Sequence, residues 1–131
     1  MRKTLLFLPI AIGAVLSCSC SRLSREAKEI SGNYIIPEIS QTEPVMELNR
    51  NATCKVRAIK PGVITYTVEG KWNVEHDSLV MILDRSTLHV EGDSEMVGDI
   101  PTRYTRKVVD HNDINLLLEK DGVVYAYRRI Q

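Results

Sequence analysis

The chain ends in two apolar runs, Ile114-Asn115-Leu116-Leu117-Leu118-Glu119 and Val123-Val124-Tyr125-Ala126-Tyr127-Arg128-Arg129-Ile130, joined by Lys120-Asp121-Gly122. Asp-Gly between apolar runs is a strong hairpin signal, because a type I′ turn needs positive φ at both of its central residues. The stretch therefore predicts two antiparallel strands joined by a tight turn. An isolated hairpin is barely stable in water, so further strands are expected to pair with it.

Alternating runs of this kind recur from Ser31 onward. Residues 63–69 place Ile64, Tyr66 and Val68 on one face and polar residues on the other, and Gly70 predicts a bulge or a bend before the strand continues to residue 74. Residues 79–83 are apolar on both faces, which predicts the most central strand. The predicted strands are 32–36, 45–48, 53–59, 63–74, 79–83, 87–91, 102–109, 114–119 and 123–130.

These eight or nine strands with short connections predict an all-β protein, an antiparallel up-and-down meander that closes into a small or partly open barrel. The alternative is a two-sheet β-sandwich. A transmembrane barrel is disfavoured because its outer face would have to be apolar. One face here carries charged side chains: Lys55, Arg57, Glu69, Glu91 and Lys107.

The length and charge of the chain limit its function. Its 131 residues allow one domain of ordinary size, and its 17 Lys and Arg residues balance 17 Asp and Glu residues. A nucleic-acid-binding protein normally has a basic excess, so no nucleic-acid partner is expected.

The N-terminal residues have the form of an export signal. Arg2 and Lys3 precede an uncharged run over residues 4–16, which is too short to span a membrane. The sequence Val15-Leu16-Ser17-Cys18 then resembles a bacterial lipobox. We therefore predict a signal peptide over residues 1–17 and lipidation of Cys18, with Cys20 as the competing anchor. A plain secretory signal and a retained anchor helix are the alternatives.

Three segments follow from this interpretation: the signal peptide 1–17, a lipidated N-terminal tether 18–30 and a barrel domain 31–131. No Asp follows Cys18 directly, since Ser19 stands there, and this resembles bacterial lipoproteins that are sorted to the outer membrane. The resemblance implies a barrel that faces the periplasm, with surface exposure as the other option. A frayed helical turn over residues 25–30 is consistent with Glu26, Ala27 and Lys28.

The layout resembles small lipocalin-like bacterial lipoproteins. The resemblance rests on the lipobox, the opening Gly32-Asn33-Tyr34, the central Gly70-Lys71-Trp72 and the closing Tyr125-Ala126-Tyr127-Arg128-Arg129, and it covers residues 31–131. It is similar also to the N-terminal barrel of NlpE-type envelope lipoproteins. That family has a Cys-x-x-Cys linked to copper and redox sensing, which this chain lacks, so no such role is expected here.

No constellation for catalysis, a cofactor or a metal is evident, so the chain is predicted not to be an enzyme. His76, His89 and His111 are isolated, whereas metal sites need several converging ligands. Cys54 shares a face with Val56 and Ala58 and is predicted to be buried and inert, although a Cys20–Cys54 disulfide is conceivable in an oxidising compartment.

Aromatic and basic residues supply the candidate binding groups. Tyr66 and Trp72 share one strand face, and with Tyr125 and Tyr127 they are the candidate ligand-binding residues, core packing being the alternative. Five basic residues are dense enough to form a cationic patch or an ordinary solvated face: Arg103, Arg106, Lys107, Arg128 and Arg129.

Two functions remain open. The barrel binds a small apolar ligand or an envelope component, or it is a structural or inhibitory module that binds a protein through its loops. An interior cavity above about 300 Å³ lined by Tyr66 and Trp72 would favour the first function, and a filled interior would favour the second.

Overall fold

The computed structural model describes residues 22–130 and shows a closed antiparallel barrel of eight strands preceded by one short helix. The predicted all-β barrel is thereby confirmed. The elements are α1 (Arg25–Ile30), β1 (Gly32–Ile35), β2 (Met46–Leu48), β3 (Thr53–Lys60), β4 (Ile64–Glu75), β5 (Ser78–Gly92), β6 (Arg103–His111), β7 (Asn115–Lys120) and β8 (Val123–Ile130), with a single 3₁₀ turn at Ser94–Met96.

Each strand pairs with the next along the chain, and β8 pairs with β1 to close the barrel, with Tyr34 opposite Arg129. The turn between β7 and β8 has φ of 53° at Asp121 and 81° at Gly122. Positive φ at both positions confirms the hairpin that the Asp-Gly pair predicts.

The structure merges two predicted strands into β5. The segments 79–83 and 87–91 belong to one strand whose pairing with β4 is irregular between Thr67 and Glu69, because Thr67 lies opposite His89 and Glu69 opposite Asp84. The prediction that residues 79–83 are apolar on two buried faces is only partly right. Leu79, Val80, Met81 and Leu83 are buried, but the Ile82 side chain is 47% exposed.

Gly70 lies beside this irregularity, where β4 and β5 approach closely. A β-carbon at residue 70 would lie against the carbonyl oxygen of Ile82 and 2.9 Å from Leu83 Cα. The absence of a side chain is therefore what permits the close approach of the two strands, while the irregularity itself lies between Thr67 and Glu69 and not at Gly70.

Helix α1 packs into one end of the barrel, which corrects the predicted tether. Leu23, Ala27 and Ile30 are buried within the same core cluster as the strands. The Ser24 hydroxyl caps the helix by accepting from the Ala27 amide (3.2 Å) and donates to the Val74 carbonyl (3.0 Å). The folded unit thus includes residues 23–30, because these apolar side chains are buried in the barrel interior.

No helix within residues 22–130 has the length and apolar character needed to cross a membrane. The predicted signal peptide 1–17, Cys18 and Cys20 lie outside the described residues.

Candidate functional site

The two ends of the barrel differ. We call the end that holds α1 the plugged end and the opposite end, toward which β1, β3, β5 and β7 run, the mouth. At the plugged end the Arg129 guanidinium donates to the Glu29 carbonyl (2.8 Å) and to the Tyr34 hydroxyl (2.9 Å). These contacts tie the helix to β8 and β1, so ligand access is expected at the mouth.

The interior next to the helix is filled by large apolar side chains. Trp72 is 3% exposed and its Nε1 donates to the Asn49 carbonyl (2.8 Å). For Trp72 the structure therefore bears out the core-packing alternative. The largest fully buried side chains include Tyr34, Ile30, Leu48, Leu79, Met81, Leu116 and Leu118.

The interior changes character toward the mouth. Tyr125 and Tyr127 lie opposite Leu118 and Leu116, whose side chains are completely buried, so both tyrosines are on the inward face of β8. Tyr127 is partly buried, yet Tyr125 is 44% exposed. Tyr125 therefore marks the level at which inward-facing side chains of β8 begin to reach solvent.

Two residues of β6 join these tyrosines. Tyr104 and Arg106 lie opposite the buried Met81 and Leu79, which places both on the inward face. The Arg106 guanidinium carbon lies 3.7 Å from the centroid of the Tyr104 ring. The pKa of Tyr127 is raised to about 12, mainly by burial and also by Tyr104 and Tyr125, while Arg106 opposes the rise.

This pairing is not among the sequence predictions. They do not include Tyr104, and they place Arg106 in a candidate cationic patch or an ordinary solvated face. The alternation Tyr104, Arg106, Val108 places Arg106 on the same side of β6 as a core valine, which was the available signal.

The proposed basic patch is divided by the register. Lys107 is exposed and lies on the opposite face of β6 from Arg106. Arg128 is exposed and lies on the opposite face of β8 from Arg129. Arg129 lies at the plugged end, where it supports the helix. Of the five, Arg103 and Arg106 line one cavity at the mouth, which they reach from opposite faces of β6, because Arg103 has the outward parity of Lys107.

A cavity of about 530 Å³ lies beside Arg103 and Arg106. Strand β6 pairs with β7 from Lys107, which lies opposite Glu119, so residues 103–105 extend past Lys120, the last residue of β7. We call this cavity the β6 cleft. It is lined by Pro101, Arg103, Tyr104, Thr105, Arg106 and Lys120.

Tyr66 lies away from the mouth tyrosines. It is half-buried on β4, paired with Ala58 and Val90, and it packs against the core. It borders a surface cavity of about 210 Å³ that contains charged residues such as Glu43, Arg57 and Glu91. The structure therefore brings together Tyr125 and Tyr127 but separates them from Tyr66 and Trp72.

A wider groove of about 740 Å³ crosses the outer face of β2–β5. Its charges oppose one another: Lys55 lies 4.0 Å from Glu69, and Arg57 close by pairs with the lining Glu47 at 3.3 Å. The more exposed Lys55–Glu69 pair contributes little free energy, whereas the Arg57–Glu47 pair is half-buried. The groove lining contains side chains of both charges, in contrast to the lining of the β6 cleft.

His89, His111 and Cys54 have separate surroundings. His89 pairs with Glu91 at 3.5 Å and His111 with Glu29 at 3.8 Å, while Cys54 is buried and its pKa is raised to about 12 by that burial. Within residues 22–130 no three His, Cys, Asp or Glu side chains come close enough to hold a metal ion.

No protein-family model matches this sequence, and comparisons with curated proteins and with solved structures give no significant match.

Proposed function

We propose that this chain is a lipid-anchored lipoprotein of the bacterial outer membrane whose lipocalin-like barrel faces the periplasm. The barrel is a non-catalytic binding module that takes its ligand at the mouth. The observation that carries the proposal is the contrast between Tyr125, which faces inward and is 44% exposed, and the completely buried Leu118 opposite it. The interior is packed up to this level and open beyond it.

The binding mode differs from that of a deep calyx. Because α1 and Trp72 fill the plugged end, a ligand rests on the rim formed by Tyr104, Tyr125 and Tyr127 and does not enter the barrel fully. Tyrosine rings provide apolar area with a polar tip, which suits a surface that must bind and remain wetted. A small ligand or the end of an envelope component fits such a rim.

The anchor is supported by the sequence. A short cationic head, an uncharged run and Val15-Leu16-Ser17-Cys18 occur in the order that lipidation requires. One acyl chain holds a protein only reversibly, whereas the several chains of a lipidated N-terminal cysteine give durable attachment.

Membrane fractionation of Cys18→Ser and Cys20→Ser variants tests the anchor. We expect the first variant to lose membrane attachment and the second, the matched control, to keep it. Continued attachment of Cys18→Ser would overturn the assignment, and loss of attachment in Cys20→Ser alone would move it to Cys20.

Native mass spectrometry tests the binding module. The full chain, kept in a neutral detergent, is expected to carry a small co-purifying mass that Tyr125→Ala reduces. Val109→Ala, at a 45% exposed position on β6, is the control and should leave that mass unchanged. A chain with no bound mass, or a mass retained equally in both variants, argues against binding at the mouth.

A second candidate is a protein-interaction module that binds through its loops. It is favoured by the filled interior around Trp72, which is the outcome that the sequence analysis assigns to this function. It is favoured also by apolar side chains exposed near the mouth, where Val63, Val123 and Val124 are each about half exposed and Met96 is 45% exposed. Here Val124→Lys should abolish crosslinking to an envelope protein in cells while any small bound mass is retained.

A further inference from the structure

The β6 cleft concentrates positive charge without a compensating acid. Its lining contains Arg103, Arg106 and Lys120 and no Asp or Glu. Among residues 22–130 no carboxylate lies within 4.0 Å of these three side chains, since the ion pairs of this part of the chain are all elsewhere. Because the three positive charges that line the cleft repel one another, the cleft is suited to a negatively charged ligand.

The Arg106 side chain is already held in position. Its guanidinium lies over the Tyr104 ring, and its Nη1 donates to the Thr105 carbonyl at 2.9 Å. A guanidinium has five N–H donors, so most remain available for a ligand. Ordering before binding reduces the conformational entropy that a ligand must overcome.

The number and kind of cations select the anion. Two guanidinium groups offer planar, paired donors that match phosphate or carboxylate oxygens, and the Lys120 ammonium adds a compact charge. A single carboxylate would leave two of the three charges uncompensated, whereas a phosphate dianion with three acceptor oxygens can engage all three.

We propose that the β6 cleft binds a small organic phosphate, either free or displayed as a lipid headgroup. This deepens the proposed function, because it names the ligand class at the mouth and rests on binding there. The cleft volume of about 530 Å³ lies in the range of small-molecule sites and exceeds the needs of a bare phosphate ion. The organic part of the ligand therefore lies against Pro101 and Tyr104.

Calorimetric titration of the full chain in a neutral detergent tests the ligand class. The probes are glucose 6-phosphate, glucose and inorganic phosphate. We expect glucose 6-phosphate to bind, glucose not to bind, and inorganic phosphate to bind more weakly. Equal binding of glucose and glucose 6-phosphate would overturn the proposal. It would also be overturned if neither glucose 6-phosphate nor inorganic phosphate bound.

Vesicles distinguish the two sources of phosphate. Phosphatidylcholine vesicles with and without phosphatidic acid are added to the chain bound to glucose 6-phosphate. Displacement only by vesicles with phosphatidic acid assigns the site to a headgroup, and the absence of displacement assigns it to a free phosphate; both results support the proposal. Displacement by both vesicle types shows that apolar contact governs the site, which contradicts it.

Charge-removing variants locate the site. Arg103→Gln and Lys120→Gln are expected to weaken glucose 6-phosphate binding at least about tenfold each, since both are exposed and each removes one charge-assisted contact. Lys107→Gln is the matched control on the same strand and should bind as the parent does. Loss of binding in all three variants alike would mean diffuse attraction and no cleft.

The outcomes separate this inference from the proposed function. If phosphate probes fail while a small mass still co-purifies in a Tyr125-dependent manner, the mouth binds a ligand of another class and only the inference falls. If neither occurs, binding at the mouth itself is wrong.

Discussion

The hydroxyl group of Tyr34 donates a 2.7 Å hydrogen bond to the carbonyl oxygen of Ile30. The bond joins the first strand of the barrel to the last residue of the helix that plugs it. Arg129 donates to the same hydroxyl from the last strand, so one buried oxygen links α1, β1 and β8. Burial raises the pKa of Tyr34, although Arg129 opposes the effect, so the hydroxyl keeps its proton and remains a donor.

Tyr34→Phe is expected to lower the free energy of unfolding by about 1–3 kcal/mol, because it leaves the Ile30 carbonyl without its donor in a buried place. Urea denaturation followed by circular dichroism measures the change. Tyr125→Phe, at a 44% exposed ring, is the control and should change stability by less than about 0.5 kcal/mol. Equal effects of the two substitutions would show that the hydrogen bond is unimportant.

Ile30→Ala is expected to destabilise the fold by about 2–5 kcal/mol, since the side chain is completely buried and its removal leaves a cavity. Lys28→Ala, two residues earlier on the exposed side of α1, should be nearly neutral. The same urea measurement compares them. A neutral Ile30→Ala would mean that α1 is not part of the core and that the tether extends to residue 30.

Gly70→Ala is expected to destabilise the barrel by about 3 kcal/mol or more, because the new methyl group meets the β5 backbone at Ile82 and Leu83. Gly98→Ala is the control: a β-carbon at that residue has no neighbour within 4 Å. The thermal midpoints of the two variants measure the difference. Similar midpoints would contradict the close approach of β4 and β5.

The stability of the protein should fall in alkaline solution partly because of Cys54. Burial raises the pKa of this thiol to about 12, whereas the unfolded chain ionises near its ordinary value of about 8.5. The contribution is complete below the unfolded pKa and is lost as pH rises toward the folded one.

Between about pH 8 and pH 10 the parent chain should therefore lose about 2 kcal/mol more than Cys54→Ala does. Denaturant unfolding at the two pH values gives both slopes, and the tyrosines cancel because they are common to the two chains. Parallel slopes would show that the Cys54 thiol is accessible to water in the folded state.

Local pattern was sufficient for most of the barrel. The alternation around Ile64, Tyr66 and Val68 and the Asp121-Gly122 turn depend on residues close in sequence, so they could be predicted. Helix α1 could not, because six polar-rich residues form a stable helix only when a core receives their apolar face. The spacing of Leu23, Ala27 and Ile30 was the signal for it.

The candidate site was predicted less well, for a reason of register. The inward parity of Arg106 depends on its pairing with Leu79, and the opening at Tyr125 depends on where β7 stops accompanying β6. Both are relations between distant segments. The sequence therefore predicts Tyr125 and Tyr127 but not Tyr104, and it predicts Arg106 only as a member of a larger basic grouping.

The pairing of β1 with β8 has a consequence for how the chain folds. Tyr34 and Arg129 are 95 residues apart, so the contact that closes the barrel is among the most non-local in the molecule. Loop-closure entropy must be overcome before such contacts stabilise anything, which makes folding slow for topologies of this kind. Until the last strand is in place, β1 and β7 present open edges to other chains. The protein is thus most prone to aggregate in the interval before the barrel closes. That interval ends when the eight-residue strand β8, Val123–Ile130, pairs with β1 and β7.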